Sequence, residues 1–293
     1  MAVAGLRSVG RVSMVIIPVC FLILVTLVIR ACLTQGGPEG VLTFLQPDWN
    51  LLKEPSAWLE AVSQVIFSLQ LGLGAITSYS QFNKFRHNII YDFFIIILTH
   101  LVWVLLATLF TFSLLGVAIK ADKISIKEVI LTTTGGHGVW LTTQTLVDKS
   151  LMTITNGWFW AGLYFFLLAS VGVTSVFGYV EVLASSLASI SPTSIKYKPV
   201  LSFCVLALIF LFDLILATQG GIHVYHLLLI YISNWPAIFF SLLTMLTTVL
   251  SHGTHNLMRH ISEMTKISLS HWSTSHLSVI CTTVIPVLSA VTI

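Results

Sequence analysis

Residues 61–88 read AVSQVIFSLQLGLGAITSYSQFNKFRHN. The apolar part of this stretch is long enough to cross a bilayer, yet Gln70, Gly72 and Gly74 stand at its centre. Glycine inside a helix costs about 1 kcal/mol relative to alanine, and freed backbone groups at membrane depth persist only where protein or a water-filled cavity satisfies them. Two interpretations fit these residues. Either the helix breaks at mid-depth so that its backbone can bind a solute or an ion, or the glycines let two helices pack closely.

The rest of the chain is equally apolar. Of its 293 residues, 56% are hydrophobic and 9% are charged, whereas a soluble domain carries about 25% charged residues. A membrane-spanning helix needs about 20 apolar residues, and the long apolar runs lie near 13–33, 57–80, 89–118, 154–186, 199–217, 222–250 and 274–293. The sequence therefore predicts an all-α polytopic membrane helix bundle with about seven spans, forming a single membrane domain over residues 1–293.

The loop charges predict the orientation. Cytoplasmic loops are enriched in Lys and Arg, and a cytoplasmic N-terminus places the following basic residues inside: Arg7, Arg11, Lys84, Arg86, Lys196, Lys198, Arg259 and Lys266. The outer loops then hold Lys and acidic residues in similar numbers. We therefore expect a multi-pass protein with a cytoplasmic N-terminus and the lipid bilayer as its surroundings. The net charge of +3 gives no reason to expect a nucleic-acid partner.

No motif of an enzyme is found in the sequence. It contains neither the phosphate-binding GxxxxGK[ST] nor the zinc-binding HExxH pattern, and no pair of carboxylates is spaced for acid–base chemistry. The cysteines Cys20, Cys32, Cys204 and Cys281 are scattered, without the spacing of a metal or redox site. The sequence thus predicts a membrane protein without enzymatic activity and without a bound cofactor.

Four strings, read in order, carry a family resemblance. They are LVIRACLTQGGPEGV with LQPDW (within 26–49), QVIFSLQLGLGAITSYSQFNKF (64–85), VTSVFGYVE (173–181) and TQGGIHVYHLL (218–228). Together they resemble the neurotransmitter:sodium symporters, the sodium- and chloride-dependent transporters of amines and amino acids. The resemblance implies a partial inverted-repeat transporter fold with one broken helix, matching the fifth to eleventh of twelve helices. We therefore expect either a fragment of a longer product or a truncated relative.

The resemblance assigns a solute site to the broken helix. It implies unwinding between Ser68 and Gly74, with Phe67 and Leu73 lining the pocket. Ser68 would bind the first sodium ion, and Ser68 and Gln64 would bind chloride. Gln70 replaces the family's small residue and would shrink or polarise the pocket. The implied substrate-binding residues are Phe67, Ser68, Gln70, Leu73 and Ser175. Ordinary core packing is the alternative for the two apolar residues.

Two positions depart from the family pattern. The family's remaining sodium and chloride partners are an asparagine and a serine, and this chain has His100 and Val104 instead. A histidine nitrogen is a poor ligand for sodium, which prefers oxygen, and valine offers no ligand atom. The alternative for His100 is a polar group that is hydrogen-bonded inside the bundle. The two substitutions therefore remove ligands that the family uses at the first sodium site and at the chloride site.

The resemblance also implies a second sodium site. Its ligands would be the Val171 carbonyl and the hydroxyls of Thr174 and Ser175. The alternative is that both hydroxyls bond back to a carbonyl of the preceding helical turn. The two acids that close the family's transport pathway would fall at Leu229 and Ser189, and neither residue is acidic.

Two hypotheses follow from these residues. The first is sodium-coupled symport of an amino acid or amine-like solute across the plasma membrane. The second is a truncated, non-transporting relative that lacks the first broken helix and persists as a partner of other membrane subunits or without activity. The substituted partners His100 and Val104 and the absent gate acids support the second hypothesis, and the preserved SLQLGLG stretch supports the first.

Overall fold

The computed structural model describes residues 6–46, 49–71, 73–81, 83–122, 150–152, 154–190, 197–218, 220–233 and 235–265. Within these ranges every regular element is helical, which confirms the all-α prediction. A 3₁₀ helix covers Trp49–Lys53. The α-helices are α1 (Leu6–Leu33), α2 (Gly37–Phe44), α3 (Pro55–Ser68), α4 (Ala75–Ser80), α5 (Ile89–Asp122), α6 (Gly157–Ser189), α7 (Lys198–Leu216), α8 (Gly221–Ser233), α9 (Trp235–His252) and α10 (Thr254–Thr265).

Four of these helices are long and apolar enough to span a membrane. Their spanning parts are Gly10–Leu33, Ile89–Lys120, Gly157–Ser189 and Lys198–Leu216. Each falls on a predicted apolar run. Helices suit this role because they satisfy all their backbone hydrogen bonds internally, which lipid requires. The total of seven spans stays a prediction, since the run at 274–293 lies outside the described residues.

Two runs that were each predicted as one span are divided in the structure. The run at 57–80 forms α3 and α4, separated by a non-helical segment. The run at 222–250 forms α8 and α9, which begins at Trp235 with Pro236 in its first turn. Proline lacks a backbone N–H and fits the first turn of a helix, where that donor has no partner. Inside a continuous helix, proline would remove a backbone hydrogen bond and clash with the carbonyl four residues earlier, which explains the second division.

The chain separates into two compact units. The first unit comprises Met1–Asp48 and Leu101–Leu227. In it α1 and α7 both pack on α6. Its buried core includes Leu27 of α1, Leu114 of α5 and Tyr164 of α6, and the rings of Phe110 and Tyr164 lie 5.5 Å apart. Apolar packing between long helices therefore holds this unit together.

Glycines bring α2 very close to α5 in the first unit. A Cβ added to Gly40 would overlap the Phe112 carbonyl, and one added to Gly116 would overlap the backbone of Gly36. Small residues permit such close approach between membrane helices. Close packing through glycines therefore describes the contact between α2 and α5.

The second unit comprises Trp49–His100 and Leu228–Ile293. Here α3 packs on α9, and α10 follows α9. The start of α3 is fixed by Pro55 in the first turn and by Trp58, whose Nε1 donates a hydrogen bond to the Leu52 carbonyl at 2.9 Å. This unit contains the interrupted helix and is therefore the first place to examine for a site.

Candidate functional site

The end of α3 is built by a specific backbone motif. The helix ends at Ser68, and Gln70 adopts a left-handed conformation with φ of 52°. The Gln70 N–H donates to the Phe67 carbonyl, and the Leu71 N–H donates to the Ile66 carbonyl, both at 3.0 Å. This pair of bonds is the Schellman motif, which normally carries glycine at the left-handed position. The helix therefore stops in the middle of an apolar run with its last carbonyls partly satisfied.

The chain re-enters a helix at Ala75, seven residues after Ser68. Gly74 is also left-handed, with φ of 86°, and α4 begins at the next residue, Ala75. The Leu73 N–H donates to the Gln70 carbonyl at 3.3 Å, so a tight turn joins the two helices. The structure thus confirms that the helix of the 57–80 run is broken, and the break falls within the predicted interval from Ser68 to Gly74. An interrupted helix exposes backbone donors and acceptors that an intact one would hide.

Ser68, the last residue of α3, contacts His100, one of the two residues that depart from the family pattern. Its Oγ lies 3.2 Å from His100 Nε2 and 3.2 Å from the Val65 carbonyl oxygen. A serine hydroxyl has one hydrogen. If it donates to Val65, His100 must donate to Ser68. His100 is therefore hydrogen-bonded, as one of the two interpretations of this residue expects, and its partner is the residue assigned to the first sodium ion.

The remaining predicted residues of this region differ in their exposure. Phe67 and Leu73 are half-buried on either side of the break, as apolar walls of a pocket or as packing residues would be. Gln64, assigned to chloride, is exposed one turn before Ser68. Val104 belongs to the first unit and is 45% exposed. The structure thus brings Phe67, Ser68, Gln70 and Leu73 together in one short segment.

The predicted second sodium site lies on α6, in the first unit. Thr174 Oγ1 donates to the Val171 carbonyl oxygen at 2.7 Å, and Ser175 Oγ donates to the same oxygen at 3.1 Å. The three predicted ligand oxygens therefore meet at one point on an unbroken helix. This geometry is that of the back-bonding alternative, yet each hydroxyl oxygen keeps lone pairs that a cation can use. Ser175, also assigned to the solute, belongs to this unit.

An intramembrane acid anchors the end of α6. Glu181 is buried, and its Oε1 accepts hydrogen bonds from Ser185 Oγ at 2.9 Å and from Lys198 Nζ at 2.5 Å. Lys198 begins α7, so this pair ties α6 to α7. Asp213, the other acid inside a predicted span, is exposed in the last turn of α7. Glu181 therefore has the partners of a structural group.

Ser189 stands at one of the two positions where the family pattern places a gate acid. Its Oγ donates to the Ser186 carbonyl at 2.7 Å, which is again a bond within the helix. Leu229 lies within α8, and only its backbone belongs to the description. Neither residue carries the charge that a gate salt bridge needs.

One charged residue of functional interest, Arg30, is not among the predicted site residues. It lies inside the apolar run at 13–33, and an arginine within such a run is itself a signal of a polar site. In the structure it contacts Thr155 and Trp160 and lines a cavity. Arg30 lies neither in a loop that determines the orientation nor at a position to which the resemblance assigns a ligand, so it was not predicted.

These features define a class: a multi-pass helical membrane protein with one helix broken in the middle of its apolar run, the architecture of many secondary transporters. Comparison with known families then identifies the chain. A model of the sodium:neurotransmitter symporter family matches residues 1–293. The chain therefore belongs to this family, which is one of transporters rather than enzymes.

Individual relatives agree with this assignment. The chain is 31% identical over 228 residues to the sodium-dependent serotonin transporter of Drosophila melanogaster, covering 78% of this chain and 36% of that protein. It is 30% identical over 228 residues to the sodium- and chloride-dependent creatine transporter 1 of Homo sapiens, covering 76% and 35%. It is 27% identical over 249 residues to the sodium- and chloride-dependent GABA transporter ine of Drosophila melanogaster, covering 84% and 26%. The matched part of this chain spans about a third or less of the length of these relatives.

Proposed function

We propose that this protein takes part in sodium-coupled symport of a small amino-acid or amine-like solute across the plasma membrane. The observation that carries the proposal is the break between α3 and α4, because it places backbone hydrogen-bonding groups in the middle of an apolar run. Such groups are costly in lipid unless they serve a site. Family membership supplies the class of solute and the coupling ion.

The broken segment supports binding of a charged solute. In the proposed site, the backbone around Leu69 to Leu71 and the Ser68 hydroxyl would hydrogen-bond the polar end of the solute. Phe67 and Leu73 would contact its apolar part. The relatives are named for serotonin, creatine and GABA, which are all small molecules with a basic or charged nitrogen. Gln70 would then limit the size of the solute at the point where the family carries a smaller residue.

The hydroxyl cluster on α6 supports a role for sodium. Val171, Thr174 and Ser175 contribute one carbonyl and two hydroxyl oxygens close to a single point. Hard cations are bound by oxygen ligands of these types. Sodium would replace the two hydroxyl-to-carbonyl bonds by three contacts to oxygen and would take further ligands from elsewhere in the protein.

The first sodium site and the chloride site are left out of the proposal. Ser68 shares its hydroxyl between the Val65 carbonyl and His100, and the nitrogen of His100 takes the position of an oxygen ligand. Gln64 is exposed, and Val104 has no ligand atom. We therefore propose coupling through the α6 site alone.

The test is uptake of radiolabelled amino acids and amines by cells that express residues 1–293. We expect uptake in sodium medium that falls by at least about tenfold, to the level of mock-transfected cells, when choline replaces sodium. Thr174→Val removes a proposed ligand and should raise the sodium concentration for half-maximal uptake. Thr108→Val is the matched control, because Thr108 Oγ1 makes the same kind of bond to Val104 at 2.8 Å outside the site.

Two outcomes contradict the proposal. Uptake no higher than in mock-transfected cells in either medium, with surface expression verified, would favour the non-transporting relative. Equal sodium dependence in Thr174→Val and Thr108→Val would remove sodium from the α6 cluster even if the protein transports.

A further inference from the structure

A cavity of about 460 Å³ lies in the first unit, apart from the residues assigned to solute and sodium. Its wall comes from the last turns of α1 and α5 and from the residues just before α6. Its polar lining includes Arg30, Lys120 and Thr155, and Leu33, Val117 and Ile154 form its apolar lining. Two cations on one wall of a partly apolar cavity suit an anion that also has a carbon body.

Arg30 is held in place but incompletely bonded. Its Nη2 donates to Thr155 Oγ1 at 2.7 Å, and its guanidinium carbon lies 5.7 Å from the ring centroid of Trp160. Its Nε, in contrast, is buried and has no hydrogen-bond partner among the described residues. A buried donor without a partner is destabilising, and one on a charged group more so. The arrangement fixes the orientation of the guanidinium and leaves its buried Nε–H without a partner among the described residues.

The charge around the cavity is also unbalanced. Among the residues that the structure describes, Arg30 forms no ion pair. Lys120 pairs with Glu39 at 3.3 Å, but both side chains are at least half exposed, so the pair is weak. The cavity therefore keeps a net positive charge that the described part of the chain does not neutralise.

We propose that this cavity binds an oxyanion, the carboxylate or phosphate group of a small solute or of a lipid headgroup. The Arg30 guanidinium donates to its oxygens, and Lys120 contributes a second charge. Thr155 acts as a positioning residue, because its bond to Nη2 sets the direction of the guanidinium. Leu33, Val117 and Ile154 contact the carbon part. An oxyanion fits because guanidinium groups donate to carboxylate and phosphate oxygens in a planar geometry.

The test measures thermal unfolding of the full chain in dodecyl maltoside, a detergent without charge or phosphate. Sodium acetate, sodium phosphate or short-chain phosphatidylglycerol is added, and sodium chloride of equal ionic strength is the reference. At saturating anion we expect a Tm increase of about 3 °C or more over the reference. Stabilisation by acetate or phosphate identifies a free solute anion, and stabilisation by phosphatidylglycerol alone identifies a lipid headgroup.

Two variants separate binding at the cavity from general salt effects, which also stabilise proteins. Arg30→Gln removes the donor and should abolish the Tm increase. Arg259→Gln, which removes an exposed arginine of α10 paired with Glu263, should retain it. The proposal is overturned if no anion raises the Tm of the unaltered chain, or if Arg30→Gln shows the same increase.

A third variant applies if Arg30→Gln does not fold. Leu33 lines the cavity and is 75% exposed, so Leu33→Trp should fill space without disturbing the core or the charges. We expect its Tm in sodium chloride to match that of the unaltered chain and its response to the anion to weaken by at least about tenfold in concentration. An undiminished response would place the anion elsewhere and overturn the proposal.

Discussion

The broken segment after α3 and the hydroxyl cluster on α6 present ligand groups in opposite ways. The first ends the helix at Ser68 and turns the backbone through Gln70 and Gly74, both left-handed. The second keeps its helix intact and adds two hydroxyls to the Val171 carbonyl. Breaking a helix gives up backbone hydrogen bonds, whereas a back-bonded hydroxyl gives up almost nothing. Changes to the backbone should therefore affect the first region most, and changes to side-chain chemistry the second.

This comparison requires α6 to remain a single rigid helix. Glu181 ties the C-terminal part of α6 to α7 through its ion pair with Lys198. Glu181→Ala would remove the buried carboxylate that the half-buried Lys198 contacts. Breaking a buried ion pair from one side costs about 3–5 kcal/mol, and because Lys198 is 31% exposed we expect about 3 kcal/mol. The measurement is the free energy of unfolding in mixed micelles with a denaturing detergent.

The control for this substitution is Glu263→Ala. Glu263 pairs with Arg259 at 3.6 Å on α10, and both side chains are at least half exposed. An exposed pair of this spacing contributes only about 0.3–0.5 kcal/mol. If the two variants lose equal stability, the ion pair of Glu181 does not stabilise α6. The contrast between a rigid helix and a broken helix is then no longer supported.

Much of the fold is predictable because lipid imposes simple rules. A run such as 89–118 must be a helix to satisfy its backbone, and the structure has α5 there. Two glycines and a glutamine in one apolar run left a break and close helix packing both open, and the family resemblance implied the break. The division of the run 222–250 was also indicated by Pro236. The run was predicted as one span because it is long and continuously apolar.

The contacts of the site were less predictable. A resemblance places ligands by position and says nothing about which hydrogen bond each makes. The bond between Ser68 and His100 depends on how α3 packs near the start of α5, a distance of 32 residues in sequence. That Gln70 takes the left-handed position of the cap is likewise a result of local backbone geometry. Arg30 was not among the predicted residues because it lies outside the positions to which the resemblance assigns ligands.

The second prediction compares a glycine of each region. Gly74 has φ of 86°, a conformation that costs an L-residue about 1–2 kcal/mol. Gly74→Ala should therefore lower the free energy of unfolding by about that amount. Gly162 lies inside α6 with nothing within 4 Å of an added Cβ. Gly162→Ala should raise stability by about 0.5–1 kcal/mol, because alanine favours a helix interior.

Opposite signs in these two variants are the decisive result, measured by the same unfolding experiment. If Gly74→Ala is neutral or stabilising, the segment before α4 does not need its left-handed turn, and the break is less rigid than its hydrogen bonds indicate. If both variants destabilise, the glycine in α6 has a packing role that the open space around it does not predict.

The smallest effect concerns Gln70, a non-glycine residue at φ of 52° that closes the cap of α3. Gln70→Gly should stabilise the protein by about 1 kcal/mol, because glycine enters the left-handed region without steric cost. Asn156 is the matched control: it is also left-handed, with φ of 60°, at the start of α6. Asparagine tolerates this conformation, so Asn156→Gly should change stability by only a few tenths of a kcal/mol. A destabilised Gln70→Gly would mean that the glutamine side chain contributes more to the break than its backbone strain costs, and Gln70 would then belong to the site as a structural as well as a solute-facing residue.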